Sequence, residues 1–262
     1  MTNLLRSEWR KVMTTKLWWG MLLGSVALTA LSVTGQIANA TSGPMNAPPG
    51  YVAPNPLGDP ATQRSIAASA VVAGIFALVV GIILLTTEFR HLTSRPTFLL
   101  QPLRGRIIGA KLIVAAAVGL MYAIVCAATV LAIMVPWLGA RGVSIGWVSN
   151  GVLRTLGSSA LAVAIYAVVG VGVGVLVRNQ IAAVIGALGY FFVVEALIEV
   201  IPVIKDIYKY LPGAASDALV HAGPRGVSGS LLTQLQGGLV FLGWGLLFAL
   251  GGWLVTMRRD IP

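Results

Sequence analysis

The chain has 262 residues, 57% of them hydrophobic and only 10% charged. Soluble domains average about 25% charged and about 45–50% apolar residues, and disordered chains are poor in apolar residues, so both classes are excluded. The net charge of +10 does not mark a soluble nucleic-acid binder, because such proteins carry basic faces on a polar surface that this composition lacks; a polytopic membrane protein with one membrane domain remains.

Residues 1–16 come first. At 100° per residue, Met1, Leu5, Trp9 and Val12 share one face, while Arg6 and Arg10 lie on another. That pattern predicts an amphipathic helix lying in the membrane interface, with Trp9 at the headgroups. A bilayer core about 30 Å thick takes about 20 apolar residues of helix. Six runs qualify: 17–38, 66–87, 112–136, 152–177, 181–203 and 237–257. They are too long and continuous for barrel strands, so the fold class is an all-α membrane protein with six transmembrane helices.

Ala38-Asn39-Ala40 has the small-x-small outline of a signal-peptide cleavage site. The apolar run before it is long, however, and the N-terminal segment is expected to be retained. Asn39-Ala40-Thr41 also matches a short glycosylation pattern that is common by chance. The connection 39–65 is rich in Pro, Gly and Asn, a loop composition. The connection 137–151 is short and 204–236 is long. Within the latter, Pro212 and Pro224 set off the pieces 204–211 and 214–221, expected as short helices at the outer surface. No internal repeat is evident, so an inverted-repeat transporter gains no support.

Orientation follows from basic residues, which favour the cytoplasmic side. One set of connections holds Arg6, Arg10, Lys11, Lys16, Arg90, Arg95, Arg104, Arg106, Lys111, Arg178, Arg258 and Arg259. The other, longer set holds only Arg64, Arg141, Arg154, Lys205, Lys209 and Arg225. Both termini are therefore expected in the cytoplasm, with the protein in the plasma (cytoplasmic) membrane.

Candidate chemistry is sparse. There is no G-x-x-x-x-G-K-[ST] sequence, so the chain is not itself a P-loop ATPase. Gly142-Val143-Ser144-Ile145-Gly146 matches G-x-S-x-G, which carries catalysis only on a strand-to-helix elbow with His and acid partners. His221 and Asp217 lie in another outer connection, and chance explains the match better. His91 and His221 are expected on opposite sides of the membrane and Cys126 in mid-span, which leaves no set of metal ligands. Glu195 and Glu199 are the only acids inside a span. At i and i+4 they share a face, and with Tyr190 and Phe191 they are candidates for a translocation path; pairing with Arg154, Lys205 or Lys209 is the plainer alternative. Ala160, Ala164, Ala167, Gly170 and Gly174 form a small-residue stripe of the kind that packs helices closely.

The segment 88–111 is the longest inner connection. Pro96 suits a first helical turn, and Pro102 closes that helix after about two turns. The expected product is a short basic cytoplasmic helix between two rigid spans. The segment carries Glu88-Phe89-Arg90, Thr93, Pro96-Thr97-Phe98-Leu99, Pro102, Arg104-Gly105-Arg106 and Lys111. This run resembles the signature region of permease subunits of type-2 ABC exporters, although Leu92 stands where a glycine is common there. The start, Leu5-Arg6-Ser7-Glu8-Trp9-Arg10-Lys11 leading to Thr14-Thr15-Lys16-Leu17-Trp18-Trp19, is similar to that family's interfacial connecting helix.

The resemblance implies two permease chains, as a homo- or heterodimer, above two soluble ABC ATPase subunits that hold ATP and Mg. It places Glu88, Arg90, His91, Thr93, Arg95, Thr97 and Gln101 at the ATPase-coupling interface. The chain itself would have no catalytic residue, metal or directly bound cofactor. The scarcity of intramembrane charge points to an apolar or amphipathic cargo: a drug, antibiotic or lipid. The alternative is an ion- or proton-coupled secondary transporter using Glu195 and Glu199.

Overall fold

In hydrocarbon, backbone polar groups must bond within their own segment, and the chain meets that constraint with helices alone. A computed structural model describes residues 2–42, 56–90, 104–177, 179–200, 205–220 and 232–258, and no strand occurs among them. Six helical stretches there are long and apolar enough to cross a membrane: Leu17–Thr41, Pro60–Thr87, Ile108–Gly139, Val152–Leu176, Gln180–Ile198 and Gln234–Gly251. They overlay the six apolar runs one for one.

Their ends differ from the apolar boundaries because caps, not hydrophobicity, set them. Helix α1 is Thr2–Thr14 and α2 is Leu17–Ser42, so the Ala38-Asn39-Ala40 triplet is helical. The second span starts earlier than the apolar run. The Asp59 carboxylate accepts from the amides of Ala61 (3.0 Å) and Thr62 (3.2 Å), and Pro60 occupies the first helical position, a standard helix start. This span comprises α3 (Pro60–Ala68), a 3₁₀ turn (Ser69–Val72) and α4 (Ala73–Arg90). The third span belongs to α5 (Arg104–Gly139), a 36-residue helix that continues through Pro136. The fourth is α6 (Val152–Leu176). The fifth is α7 (Gln180–Gly189), a π-helical turn (Tyr190–Val194) and α8 (Glu195–Val200). Two short helices, α9 (Lys205–Tyr208) and α10 (Pro212–Val220), precede α11 (Gln234–Arg258). Thr233 and Gln236 cap α11 reciprocally, each side chain accepting from the other's amide (3.4 and 3.2 Å).

On α1, Leu5, Glu8 and Val12 form the stripe that packs inward, with Glu8 and Val12 buried and Trp9 exposed. One expectation needs correction: α10, expected at the outer surface, is folded into the bundle, where every residue but Gly213 is buried, against α11 and α6. Its small side chains permit this. The Ala215 carbonyl lies so close to Gly237 of α11 that a Cβ there would approach it to 2.7 Å.

Helix α6 is the hub, touching α3, α4, α5, α10 and α11. Its most extensive contact is with α4. There a Cβ on Gly170 would run into the Leu78 carbonyl, and one on Gly81 would run into the Ala167 carbonyl. Gly174 meets Ile82 in the same seam. The Gly170/Gly174 stripe thus packs two helices of one chain, as close-approach motifs do in membranes.

At one end of the bundle, the near end, α1 packs against α5. At the far end, the buried Gln63 pins the 140–151 connection onto α3. Its Nε2 donates to the carbonyls of Leu57 (3.2 Å) and Ser144 (3.0 Å). Its Oε1 accepts from the Gly146 amide (3.0 Å) and Asn150 Nδ2 (2.8 Å). All four of the amide's bonding capacities are used.

Gly170→Ala should destabilise the protein by about 1–3 kcal/mol, the usual range for overpacking. Gly157→Ala, on the exposed face of the same helix with nothing within 4 Å, should be near neutral or slightly stabilising. Thermal unfolding of the two variants in detergent compares them directly.

Candidate functional site

Polar side chains inside an apolar bundle need partners, and two groups of them stand out. The first is at the near end. Glu8 is fully buried and Lys111 is 1% exposed. Glu8 Oε2 and Lys111 Nζ are 2.5 Å apart, and Glu8 Oε1 also accepts from Lys11 Nζ at 2.6 Å. The apolar floor around this pair is Val12 and Leu5 of α1 against Val114 and Ala115 of α5. Trp18 extends the same junction: its indole N–H donates to the Met13 carbonyl (3.1 Å), and its own carbonyl accepts from the Tyr122 hydroxyl (2.6 Å). The N-terminal helix is thereby bonded to the base of the third span, directly after the 88–111 segment.

The second group lies towards the far end, around a cavity of about 230 Å³. Val71, Val72 and Ile75 of the second span form one wall, with Tyr166 of α6 beside them. Phe191, Phe192, Glu195 and Ala196 of the fifth span form another, and Tyr208, Gly213 and Asp217 close it. Glu195 and Asp217 are each 5% exposed. Glu195 Oε1 accepts from the Gly213 amide at 2.8 Å. Pro212 has no N–H, so Gly213 offers the first free donor of α10, and a carboxylate suits the positive end of the helix. With glycine there the carboxylate comes right up to the backbone; a Cβ would meet Glu195 Oε2 and make that side chain shift.

The π turn delivers this acid. The Glu195 amide bonds to the Tyr190 carbonyl. Such single π turns recur at functional sites. Tyr166 packs edge-on against Phe191 (centroids 5.4 Å apart) and Phe241 (4.7 Å), and Phe191 against Tyr190 (5.5 Å).

Of the residues expected on a translocation path, Phe191 and Glu195 line the cavity and Tyr190 supports Glu195. The side chain of Glu199 lies outside the described part of α8. Of the expected coupling residues, Glu88 and Arg90 end α4, without described side chains. His91, Thr93, Arg95, Thr97 and Gln101 fall outside the described residues. Ser144 sits in an irregular connection between two helices, not after a strand, and Gln63 takes its carbonyl. Asp217, once weighed as its acid partner, lines the cavity instead; His221 is outside the described residues. Cys126 is buried, its Sγ 3.4 Å from Ser25 Oγ.

Sequence reasoning missed the Glu8–Lys111 pair and the role of Asp217. A signal for the pair existed: Glu8 falls between Leu5 and Val12 on the helical period, and Lys111 opens an apolar run. No protein-family model and no curated protein matches the chain.

A buried charge that loses an ion-pair partner is left less compensated in a medium of low dielectric. Glu8→Met should cost up to about 3–5 kcal/mol and Lys111→Met less, because Glu8 keeps Lys11; the double replacement should recover much of the loss. Lys11→Ala, at a side chain 46% exposed, should cost less than about 1 kcal/mol. Thermal unfolding of the four variants in one detergent gives the comparison.

Proposed function

We propose that the chain is the membrane-spanning permease subunit of an ABC exporter, moving an apolar or amphipathic substrate outward by alternating access. Separate soluble ATPase subunits would supply the energy, and a second permease chain would complete the channel. The observation that carries this reading is the buried Glu8–Lys111 bond. A driven membrane protein without its own ATPase motif needs a rigid route from a soluble partner to its spans. Force applied to the 91–103 segment passes into α4 on one side and α5 on the other. Through Lys111 it also reaches α1, so three elements are driven by one contact. Six apolar helices, the resemblance of the 88–106 run and the basic near end, placed in the cytoplasm with both termini, support the same reading. In this assignment Glu88, Arg90, His91, Thr93, Arg95, Thr97 and Gln101 face the ATPase.

A second reading, an ion- or proton-coupled secondary transporter, draws support from one observation: Glu195 is buried and lines a cavity. Glu195→Gln and Glu199→Gln would then abolish proton-driven flux. Under the exporter reading they only tune transport.

Under the exporter reading, a soluble ATPase co-purifies with the chain from its native membrane. Arg95→Glu or replacement of Thr97 should weaken that association, or the stimulation of ATP hydrolysis, several-fold. Transport that persists without ATP, with no ATPase bound, would sink the reading.

A further inference from the structure

The connection between α5 and α6 carries more apolar surface than its packing uses. Val143 and Ile145 turn inward onto the cluster that holds Leu138 and Val152. Trp147 and Val148 turn outward. Val148 is 81% exposed and Trp147 38%, and Trp137, in the last turn of α5, is 36% exposed. Such side chains are unfavourable in water and favourable at a membrane interface, where tryptophan collects. The connection is not free to hide them. Gln63 holds the Ser144 carbonyl, the Gly146 amide and the Asn150 side chain. The Asn150 amide bonds back to the Gly146 carbonyl at 3.0 Å. Gly142 and Gly151, with φ of 68° and 76°, make turns that other residues rarely adopt.

The place of the connection relative to lipid is set by α6. The Leu153 amide bonds to the Trp147 carbonyl at 3.0 Å, so Trp147 lies at the head of the fourth span. Below it Leu153, Gly157 and Leu161, four residues apart, are all exposed and mark the side of α6 that faces lipid. That line runs up to Trp147 and Val148. Charge favours the same neighbour. Residues 137–154 contain Arg141 and Arg154 and no acid, and both arginines are exposed. Arg64 of α3 adds a third basic group, its Cδ lying 3.6 Å from where a Cβ on Gly151 would stand. Asp59, at the same end, is occupied as the cap of α3. Segments that lie in a membrane surface combine tryptophan and aliphatic groups with basic groups at the lipid phosphates.

We infer that the 137–154 connection is seated in the bilayer surface. Trp147 and Val148 lie among the headgroups and upper acyl chains of the far-end leaflet, and Arg141 and Arg154 bond the phosphates of anionic phospholipids. The seat goes beyond the exporter reading and does not depend on it.

Val148→Cys puts a reactive thiol on the connection, and the wild-type chain, whose Cys126 is fully buried, is the labelling blank. A fluorophore attached in this variant is studied on the full chain in mixed phosphatidylcholine–phosphatidylglycerol bilayers. The references are the same fluorophore attached in Leu161→Cys, on the lipid face, and the free fluorophore in water. Lipids with brominated acyl chains should quench at least half as strongly as in the Leu161→Cys reference. Aqueous iodide should quench at least threefold less than it does the free fluorophore. At equal mole fraction, brominated phosphatidylglycerol should quench at least twofold more than brominated phosphatidylcholine. Arg141→Gln with Arg154→Gln should abolish that preference. Iodide quenching equal to that of the free fluorophore, protection from both quenchers as under a second copy of the chain, or equal quenching by the two lipids would overturn the proposal. Should the labelled variant fail to fold, the difference in emission between the wild-type chain and Trp147→Phe isolates Trp147. Brominated lipid must quench that emission, and its survival refutes the seat.

Discussion

Lipid tails are as apolar as leucine, so the hydrophobic effect does not press membrane helices together; close fit does. In this chain the fit is closest where α4 crosses α6, at Gly81 and Gly170, each backbone lying against a carbonyl of the other helix. Much else is positioned from that seam. Tyr166 lies one turn before Gly170 and its ring covers Gly74. From there it meets Phe191 of the fifth span and Phe241 of α11. The place of Tyr166 beside the cavity is therefore set by backbone contact one turn away rather than by side chains that can repack.

The two buried polar groups solve the same problem differently. At the near end, charge is cancelled by charge: Glu8 has Lys111 and Lys11. Such a pair is weak evidence for stability, because the cost of desolvation offsets the attraction, but it is strongly directional. It fixes which face of α1 meets α5. At the far end a carboxylate is met by a helix N-terminus.

The spans were legible because about 20 apolar residues in a row admit few other structures. Their ends were not, since Asp59-Pro60 and Thr233-x-x-Gln236 are short polar signals outside the apolar runs. The small-residue stripe of α6 was read correctly as packing, its spacing being enough. The inward turn of Glu8 was not legible, because only a partner 103 positions away in the chain makes that acid a buried residue. Asp217 was hidden for a related reason. Whether α10 lies on the surface or inside depends on the groove beside Gly237, a property of two elements together. Local period shows what a helix can bury, whereas long-range pairing decides what it does bury.

The π turn in the fifth span has a geometric effect of its own. Ala183 and Ala187 face inward on α7. Counting 12 residues from Ala183 to Glu195 at about 100° each leaves Glu195 about 120° off that line in an unbroken helix. The one extra residue held in the π turn takes back about 100°, leaving the acid within about 20° of the two alanines. In an unbroken α-helix of the same sequence, Glu195 would face sideways along the bundle, away from the Gly213 amide. The address of the buried acid is thus written as a phase correction in the backbone. The cost of the wide turn is offset where the carboxylate meets α10, and the two irregularities hold each other in place.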